Sequence, residues 1–329
     1  MYASPQVPSV TYRPWAEAYA SPQVPSVTYR PWAGNVRGGL GLCVHLPPVG
    51  GKCPGLLPHG WHPGEVTAPR VFGAPPIGLA HRGGSTYGPN LGVENTTAAF
   101  NRAVELGYVH LETDVHVTRD GELLALHDER LDRLADMAGE VCRMTHAEVA
   151  RARIGGREPV PTMAELLATF PQSRFTIDLK SAGSGPALWR VLRQSGAADR
   201  VCVGSFSARR LWGFRALARG RVATSAGPLG VAWLRFAPAW LSRWVHSPGV
   251  AYQVPARWPV FGREIQVVTA GFVAAAHRIG GQVHVWTIDD PDEMRALLDL
   301  GVDGLVSDAV DVLAQVLAER GAWPPIPGR

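Results

Sequence analysis

The alternation of short apolar runs with helical segments from residue 77 onward is the feature that most constrains the fold. Strands that alternate with helices indicate a parallel sheet, because each helix returns the chain to the starting edge. Roughly eight such units in about 255 residues favour an α/β fold of the closed (β/α)8 TIM barrel type over an open sheet. The strand candidates are IGLAH (77–81), VHLETDVHV (109–117), RFTIDLK (174–180), VCVGSF (201–206), RVATSA (221–226), GVAYQV (249–254), QVHVWTI (282–288) and DGLVS (303–307).

Two of the intervening helices carry recognisable end signals. Asn95 is a candidate N-cap for the helix TTAAFNRAVEL, and Gly107 would stop that helix. Asp290 is a candidate N-cap for PDEMRALLDL, with Pro291 at the first helical position and Gly301 beyond the end. A polar stretch to about residue 160 separates the second and third barrel strands, which predicts a small insertion after strand two.

The N-terminal region differs in composition from the barrel. YASPQVPSVTYRPWA occurs at residues 2–16 and again at 19–33, and the chain stays rich in Gly and Pro to about residue 76. We expect residues 1–72 to be a Pro/Gly-rich, mostly disordered extension and residues 73–329 to form the barrel. A DNA duplication or a start codon placed too far upstream explains the repeat better than a partner-binding tag does.

Composition excludes several other protein classes. The apolar content is 46% and the net charge is +4, with neither a Lys/Arg-rich run nor zinc-finger spacing, so nucleic-acid binding has little support. Neither GxGxxG nor GxxxxGK(S/T) follows the first strand. The four cysteines lack the close spacing of a zinc or redox site. No signal peptide and no run of 18 apolar residues is present, so a cytoplasmic protein without stable membrane insertion is the expectation.

Polar residues collect where the predicted strands end, the position at which barrel enzymes carry their active sites. In LETDVHVTRDGELLALHD (111–128), a turn at 119–121 predicts a hairpin, and Glu112 and Asp114 share one face because side chains alternate along a strand. The side chains predicted to converge are His81, Arg82, Glu112, Asp114, His127, Asp178, Lys180 and Trp286.

The three carboxylates in this set predict a metal site. Two like charges on one inward face repel each other, and a divalent cation makes the arrangement favourable. All the ligands are hard oxygens, which favours one Mg²⁺ or Ca²⁺ over Zn²⁺. The cation, the three carboxylates, Arg82 and Lys180 together carry one positive charge, which complements a phosphodiester. Two histidines near neutral pKa are suited to activate water and to protonate a leaving alkoxide.

The motifs AHRGG, LETDVHVTRDG, LALHDERLDR, FTIDLK, VHVWTIDD and GVDGLVSD, in this order between about residues 77 and 315, resemble those of the glycerophosphodiester phosphodiesterases. This resemblance implies metal-dependent hydrolysis of glycerophosphodiesters to glycerol 3-phosphate and an alcohol. It implies catalytic roles for His81 and His127, phosphate binding by Arg82, and a Trp286 wall for the glycerol moiety.

The same resemblance implies metal binding by Glu112 and Asp114, with Asp178 in the third position. The family usually has Glu-Ile-Lys where this chain has Asp178-Leu179-Lys180. Because Asp is one methylene shorter, its bond to the metal would be longer, water-mediated or differently tilted. Glu94 aligns with the Glu of the family's Glu-Asn motif and would be a hydrogen-bond partner behind the ligands.

Other interpretations stay open at this stage. They are a lysophospholipase D-like or other phosphodiesterase acting on a lipid, and a barrel that binds a phosphodiester without cleaving it. A metal-dependent lyase that stabilises an enolate is disfavoured, because the barrel offers two catalytic histidines and one lysine. His110, His116, His277 and His284 are interpreted as structural, although His116 shares the carboxylate face and could also support the ligands from behind. Trp233, Trp240, Trp244 and Trp258 indicate core packing, with weak membrane-surface contact through 228–258 as the minority hypothesis.

Overall fold

The computed structural model describes residues 67–237, 248–260 and 262–324. The strands are β1 (Ile77–His81), β2 (His110–Val117), β3 (Leu123–Ala125), β4 (Arg153–Ile154), β5 (Glu158–Pro159), β6 (Arg174–Leu179), β7 (Val201–Gly204), β8 (Ala223–Thr224), β9 (Ala251–Pro255), β10 (Arg257–Val260), β11 (Arg263–Gln266), β12 (Gln282–Trp286) and β13 (Gly304–Ser307). Eight of them form the parallel barrel sheet, in the order β8-β7-β6-β2-β1-β13-β12-β9. A parallel bridge between Ser225 and Ala251 joins the two ends of this order.

The helices are α1 (Ala68–Phe72), α2 (Thr97–Glu105), α3 (His146–Val149), α4 (Met163–Thr169), α5 (Ser184–Ser195), α6 (Ala208–Ala218), α7 (Pro228–Phe236), α8 (Ala270–Arg278), α9 (Pro291–Asp299) and α10 (Val310–Glu319). Most of them cover the outside of the sheet and bury their apolar faces against it, whereas α3 belongs to the insertion after β2 and α1 packs where the strands begin. Every predicted barrel strand is present in its predicted place, and the TIM barrel is therefore confirmed. No helix in the described part of the chain is long and apolar enough to cross a membrane.

The helix ends agree with one prediction and correct another. Asp290 caps α9, its carboxylate accepting from the backbone N–H groups of the second and third helical residues. The N-cap of α2 is Thr96, however, and not Asn95. Asn95 has a left-handed backbone (φ 59°), its N–H donates to the carbonyl of Arg82 at 2.8 Å, and its side chain accepts from Thr113. Asn95 therefore supports the turn after β1, and the cap falls one residue later.

The predicted insertion after strand two is a hairpin followed by a small satellite core. Strand β3 pairs antiparallel with β2, and the side chain of Asp120 accepts from Thr118 within the connecting turn. Residues from 131 to 160 then pack beside the barrel, held by a cluster of buried side chains that includes Leu131, Val141 and Ile154. This insertion begins with His127, so it carries part of the predicted site to the barrel mouth.

Helix α1 corrects the predicted domain boundary. Ala68, Val71 and Phe72 are buried and pack against the first residues of several barrel strands, among them Ile77 and Ala251. Burying a side chain such as Val or Phe contributes roughly 1.5–3 kcal/mol, so α1 belongs to the barrel. The barrel therefore begins by Ala68 rather than at 73. Residues 1–66, with the duplicated segment, lie outside the described residues.

Candidate active site

A tight turn after β1 places two of the predicted residues at the carboxyl ends of the strands. His81 ends β1, and Arg82, Gly83 and Gly84 all have positive φ values, of 52°, 85° and 94°. A Cβ atom at Gly83 would lie 2.8 Å from Ala99, and one at Gly84 would lie 2.5 Å from Val310. Glycine is therefore required at both positions, since α2 and α10 approach the turn too closely for a side chain.

Two basic side chains pair with the buried carboxylate of Asp114. The Nε atom of Arg82 lies 3.1 Å from one oxygen, and the Nζ atom of Lys180 lies 3.0 Å from the other. Lys180 also contacts Asp178, at 2.8 Å. Burial alone would raise the pKa of Asp114, but the charges of Lys180 and Arg82 outweigh burial and hold this pKa well below its usual range. Asp114 is therefore ionised and anchors both cations.

The pKa of Glu112 is shifted in the opposite direction to that of Asp114, although the two residues are only two positions apart on β2. Burial, followed by the negative charge of Asp114, raises the pKa of Glu112 to about 7. Strand pairing sets Glu112 beside His81, and 3.8 Å separates a carboxylate oxygen of Glu112 from the Nε2 atom of His81. The mouth of the barrel thus holds more acidic groups than its own basic side chains fully neutralise.

The carboxylates fit a hard divalent cation in their chemistry, because all of them offer oxygen ligands. Strand pairing sets Asp114 opposite Asp178, and each of Glu112, Asp114 and Asp178 has one buried oxygen that accepts no hydrogen bond within the described residues. In the described part of the chain, no three acidic, histidine or cysteine side chains form a complete ligand cluster. Lys180 instead lies between Asp114 and Asp178. The metal-ligand assignment therefore stays a prediction, and one that needs Lys180 to shift.

The imidazole of His81 is oriented by a residue that the sequence interpretation left without a role. Asp308, directly after β13, approaches the Nδ1 atom of His81 at 2.9 Å and also accepts from the hydroxyl of Ser85. The backbone N–H of Asp308 donates in turn to Asp289. Burial would lower the pKa of His81, but Glu112 and Asp308 raise it. Asp308 is the last residue of the motif GVDGLVSD. Its position directly after a predicted barrel strand is the sequence signal that could have identified it as a site residue.

His127 has an equivalent acidic partner. Its Nδ1 atom lies 2.6 Å from Asp128, which also pairs with Arg133. Arg133 continues to Glu94 at 2.7 Å, and Glu94 contacts Arg82 at 3.2 Å. Glu94, which was predicted to be a hydrogen-bond partner, thus accepts from two side chains, those of Arg82 and Arg133. A continuous chain of charged groups connects His127 to Arg82, which ties the insertion to the turn after β1.

The predicted residues come together around Asp114. After burial, Lys180 and Arg82, the charges of His127 and His81 are the next influences on the pKa of Asp114, and both histidines lower it. Trp286 ends β12 and is half-buried, with its ring 5.7 Å from that of Phe206. Lys180 lies over the Phe206 ring, 5.5 Å from its centre. Phe206 was not predicted, and it adds a second aromatic wall to the mouth.

The four histidines that the sequence analysis interpreted as structural lie away from this cluster or contact its backbone. His116 contacts the carbonyl of His127 at 3.0 Å. His277 pairs with Asp303, while the rings of His110 and His284 pack against Phe72 in α1. These contacts account for all four histidines as parts of the fold.

Comparison with known proteins gives this geometry a family context. Residues 81–312 match the Glycerophosphoryl diester phosphodiesterase family. A protein named probable glycerophosphodiester phosphodiesterase 2, from Mycobacterium tuberculosis, is 37% identical over 252 residues, which cover 75% of this chain and 92% of that protein.

Solved structures share the barrel. A glycerophosphodiester phosphodiesterase from Agrobacterium tumefaciens aligns with a TM-score of 0.59 at 25% identity and covers 72% of this chain and 98% of its own. A phosphodiesterase from Oleispira antarctica, in complex with the product sn-glycerol-3-phosphate, aligns with a TM-score of 0.61 at 23% identity, covering 74% and 97%. At this identity the second likeness shows the shared fold.

Proposed function

Because the chain belongs to the glycerophosphoryl diester phosphodiesterase family, we propose that it hydrolyses glycerophosphodiesters to glycerol 3-phosphate and an alcohol, with one divalent cation and two histidines. Its class, a phosphoric diester hydrolase, follows from the family match and the Mycobacterium tuberculosis relative. The observation that carries the proposed mechanism is the grouping of His81 and His127, each with its own Asp partner, around the buried carboxylate of Asp114.

Glu112, Asp114 and Asp178 would hold the cation through their carboxylate oxygens. Each of the three has one buried oxygen that accepts no hydrogen bond within the described residues, and the one on Asp114 lies 3.1 Å from the Nε atom of Arg82. When bound, Mg²⁺ or Ca²⁺ supplies positive charge against the phosphoryl oxygens and the developing leaving group. Lys180 would then leave the space between Asp114 and Asp178, which its flexible four-carbon side chain permits. This freed ammonium group would be a donor to the substrate phosphate.

Arg82 and Lys180 would bind the phosphodiester oxygens. The planar guanidinium of Arg82 is fixed by Asp114 and Glu94, so it presents its remaining N–H groups without a large loss of side-chain freedom. Trp286 and Phe206 form an apolar edge beside Lys180 that suits the carbon atoms of a glycerol moiety. The Oleispira antarctica structure, whose bound product is sn-glycerol-3-phosphate, supports this choice of substrate.

Proton transfer would be divided between the two histidines. Asp308 contacts Nδ1 of His81 and Asp128 contacts Nδ1 of His127, so each ring is oriented through Nδ1 and would exchange protons with the reactants through Nε2. One imidazole would remove a proton from the attacking water, and the other would donate a proton to the leaving alkoxide. The acidic partners stabilise whichever ring carries the positive charge.

A substrate panel tests the proposed function. The purified chain is incubated with glycerophosphocholine, glycerophosphoethanolamine and glycerophosphoglycerol, and glycerol 3-phosphate is detected with a coupled dehydrogenase. A lysophosphatidylcholine is tested in parallel by choline release, because its cleavage would leave lysophosphatidic acid and not glycerol 3-phosphate. We expect release from the water-soluble diesters, loss of release with EDTA, and recovery with Mg²⁺ or Ca²⁺. Absence of glycerol 3-phosphate from every diester would overturn the substrate assignment. Release that is indifferent to chelation would overturn the metal requirement alone.

A further inference from the structure

Charge is distributed very unevenly along this chain. Residues 179–263 contain thirteen basic residues and one acidic residue, Asp199, whereas the remainder contains nineteen basic and twenty-seven acidic residues. This basic segment runs from the end of β6 to β11. Because β6, β7 and β8 are neighbours in the sheet, the helices that follow them, α5, α6 and α7, lie side by side on one side of the barrel. A strongly basic side is therefore built into a protein whose net charge is only +4.

The basic residues of this side have few acidic partners. Among its described residues, the ion pairs involve only Lys180 and Arg257. Arg193, Arg209, Arg219 and Arg221 are exposed. Arg209 lies in the first turn of α6, where a positive charge opposes the helix dipole, so helix stabilisation does not explain its presence. The positive charge is directed to solvent and suits an external anionic partner.

Large apolar side chains are exposed on the same side. Of the eight such side chains in the described residues, five fall in the basic segment. Phe206 belongs to the mouth, and the others are Trp212, Leu217, Leu229 and Phe236. Leu229 is 76% exposed, Phe236 63% and Trp212 62%. A groove of about 260 Å³ between α6 and α7 has Trp212 and Leu229 among its walls. Exposed apolar groups among unpaired cations are unusual on a surface that meets only water.

We propose that this side of the barrel binds the surface of an anionic lipid bilayer. We call it the basic-apolar surface, and define it by Arg209, Trp212, Leu217, Arg219, Leu229 and Phe236. Arginines attract anionic headgroups, and Trp, Leu and Phe side chains enter the boundary between headgroups and acyl chains. A nucleic acid would match the arginines and Trp212, but it offers no apolar phase for Leu217 and Leu229. The combination favours a bilayer.

The surface overlaps only in part with the segment 228–258 that the sequence suggested for membrane contact. Trp240 and Trp244 lie outside the described residues, and Trp233 and Trp258 are half-buried. The exposed apolar side chains come from α6, outside that segment, and from Leu229 and Phe236 at the two ends of α7, inside it. Leu229 follows β8, at the end of the barrel where the active site opens, whereas Arg219 precedes β8, so the surface extends along the side of the barrel between its two ends.

Vesicle flotation tests the proposal with the full-length chain. Vesicles of phosphatidylcholine are compared with vesicles in which about 30% of the lipid is phosphatidylglycerol. We expect flotation with the anionic vesicles at low salt, little flotation with neutral vesicles, and loss of binding in about 0.5 M NaCl. Equal binding to both vesicle types, or binding to neither, would overturn the proposal. The measurement does not use turnover, so it stands or falls separately from the proposed function.

Paired variants identify the surface. Arg209→Gln with Arg219→Gln, and separately Leu229→Ser with Phe236→Ser, are each expected to weaken binding to anionic vesicles by roughly tenfold or more. The control variants Arg143→Gln with Arg278→Gln, and Val109→Ser, change exposed residues elsewhere and should bind like the wild type. Turnover of a soluble diester should be unchanged in all four and reports correct folding. Equal vesicle binding by test and control variants would overturn the assignment. Tighter binding to a DNA duplex than to vesicles, lost in the arginine variant, would replace the bilayer by a nucleic acid.

Discussion

Buried histidines occupy both ends of the barrel, and their surroundings differ in one respect. At the mouth, burial of His81 is opposed by Glu112 and Asp308, and its pKa is raised. At the opposite end, which we call the base, no acidic group is among the influences on the pKa of His110 or His284. Burial, followed by the charge of Arg174, lowers the pKa of His110 to about 4. Burial, followed by the charge of His110, lowers the pKa of His284 to about 3.

This difference shows that burial does not decide what a histidine can do. Desolvation acts against the charged ring at both ends, and only nearby carboxylates reverse its effect. The mouth keeps buried acidic oxygens that accept no hydrogen bond from the described residues, an arrangement that costs stability and that a ligand would relieve. The base packs neutral histidines against Phe72 and uses them as parts of the core. In a TIM barrel, chemistry belongs to the first end and stability to the second.

Removal of a mouth histidine should have the largest effect. We expect His81→Ala and His127→Ala each to lower kcat by roughly 10²–10⁴-fold, the usual contribution of general acid–base catalysis. Steady-state release of glycerol 3-phosphate from a soluble diester measures this, and calorimetry should show that binding of glycerol 3-phosphate is retained. The exposed His277→Ala variant is the matched control. Unchanged kcat in either mouth variant would remove that histidine from the mechanism.

The neutral histidines at the base should make the free energy of unfolding fall at low pH. The pKa values of His110 and His284 are lowered in the fold, so their contribution is fully present above the unfolded pKa of about 6.5. As pH falls through the window from 6.5 to about 4 for His110 and about 3 for His284, that contribution is lost. The free energy of unfolding should drop by up to about 1.4 kcal/mol per pH unit for each histidine.

Urea unfolding between neutral pH and about pH 5 measures this loss. His284→Phe removes one of the two groups and should flatten the slope by one histidine's share. Comparing variant with wild type cancels the opposite contribution of His81, whose raised pKa adds stability at low pH. An identical slope in the two proteins would show that His284 is charged in the fold, and the contrast between the two ends would then fail.

Asp308 should matter less than the ring it orients, but more than a residue with a purely structural role. We expect Asp308→Ala to lower kcat by about 10- to 100-fold with KM changed by little, as for other residues that orient a functional side chain. Asp308→Asn keeps an oxygen that accepts from His81 and Ser85, and should recover part of kcat. A fall in thermal stability that accounts for the lost activity in both variants would assign Asp308 to the fold alone.

Much of this molecule could be predicted because its signals are local. Each barrel strand is a short apolar run, and most of the predicted site residues lie at the ends of those runs. Because the strand ends of a barrel meet at one mouth, inferring the barrel was enough to predict that these residues converge. The hairpin between β2 and β3 was likewise readable from its turn and from alternating side chains. Position along a strand determined which face each carboxylate occupies, and strand pairing then set Asp114 opposite Asp178.

The parts that escaped prediction depend on contacts between distant residues. Asp308 meets His81 across 227 positions of sequence, and only closure of the barrel through β1 and β13 joins them. Helix α1 is five residues long, too short for a helical period to be visible. Asn95 resembles a cap in sequence, but the turn after β1 imposes a left-handed backbone on it. The contact of Lys180 with both Asp114 and Asp178 is a choice of rotamer, which no spacing encodes.

The smallest expected effect concerns Phe206, which lies where the mouth meets the basic-apolar surface. Its ring packs on Trp286 under Lys180, so we expect Phe206→Ala to raise KM for a soluble glycerophosphodiester about fivefold, the loss of roughly 1 kcal/mol of apolar and cation–π contact. Phe236→Ala removes an equally apolar ring from the basic-apolar surface and should leave KM unchanged. If both variants kept the wild-type KM but lost vesicle binding, Phe206 would belong to the lipid-facing side. The mouth would then be bounded by Trp286 alone, because an aromatic wall that contacts substrate must change KM when it is removed.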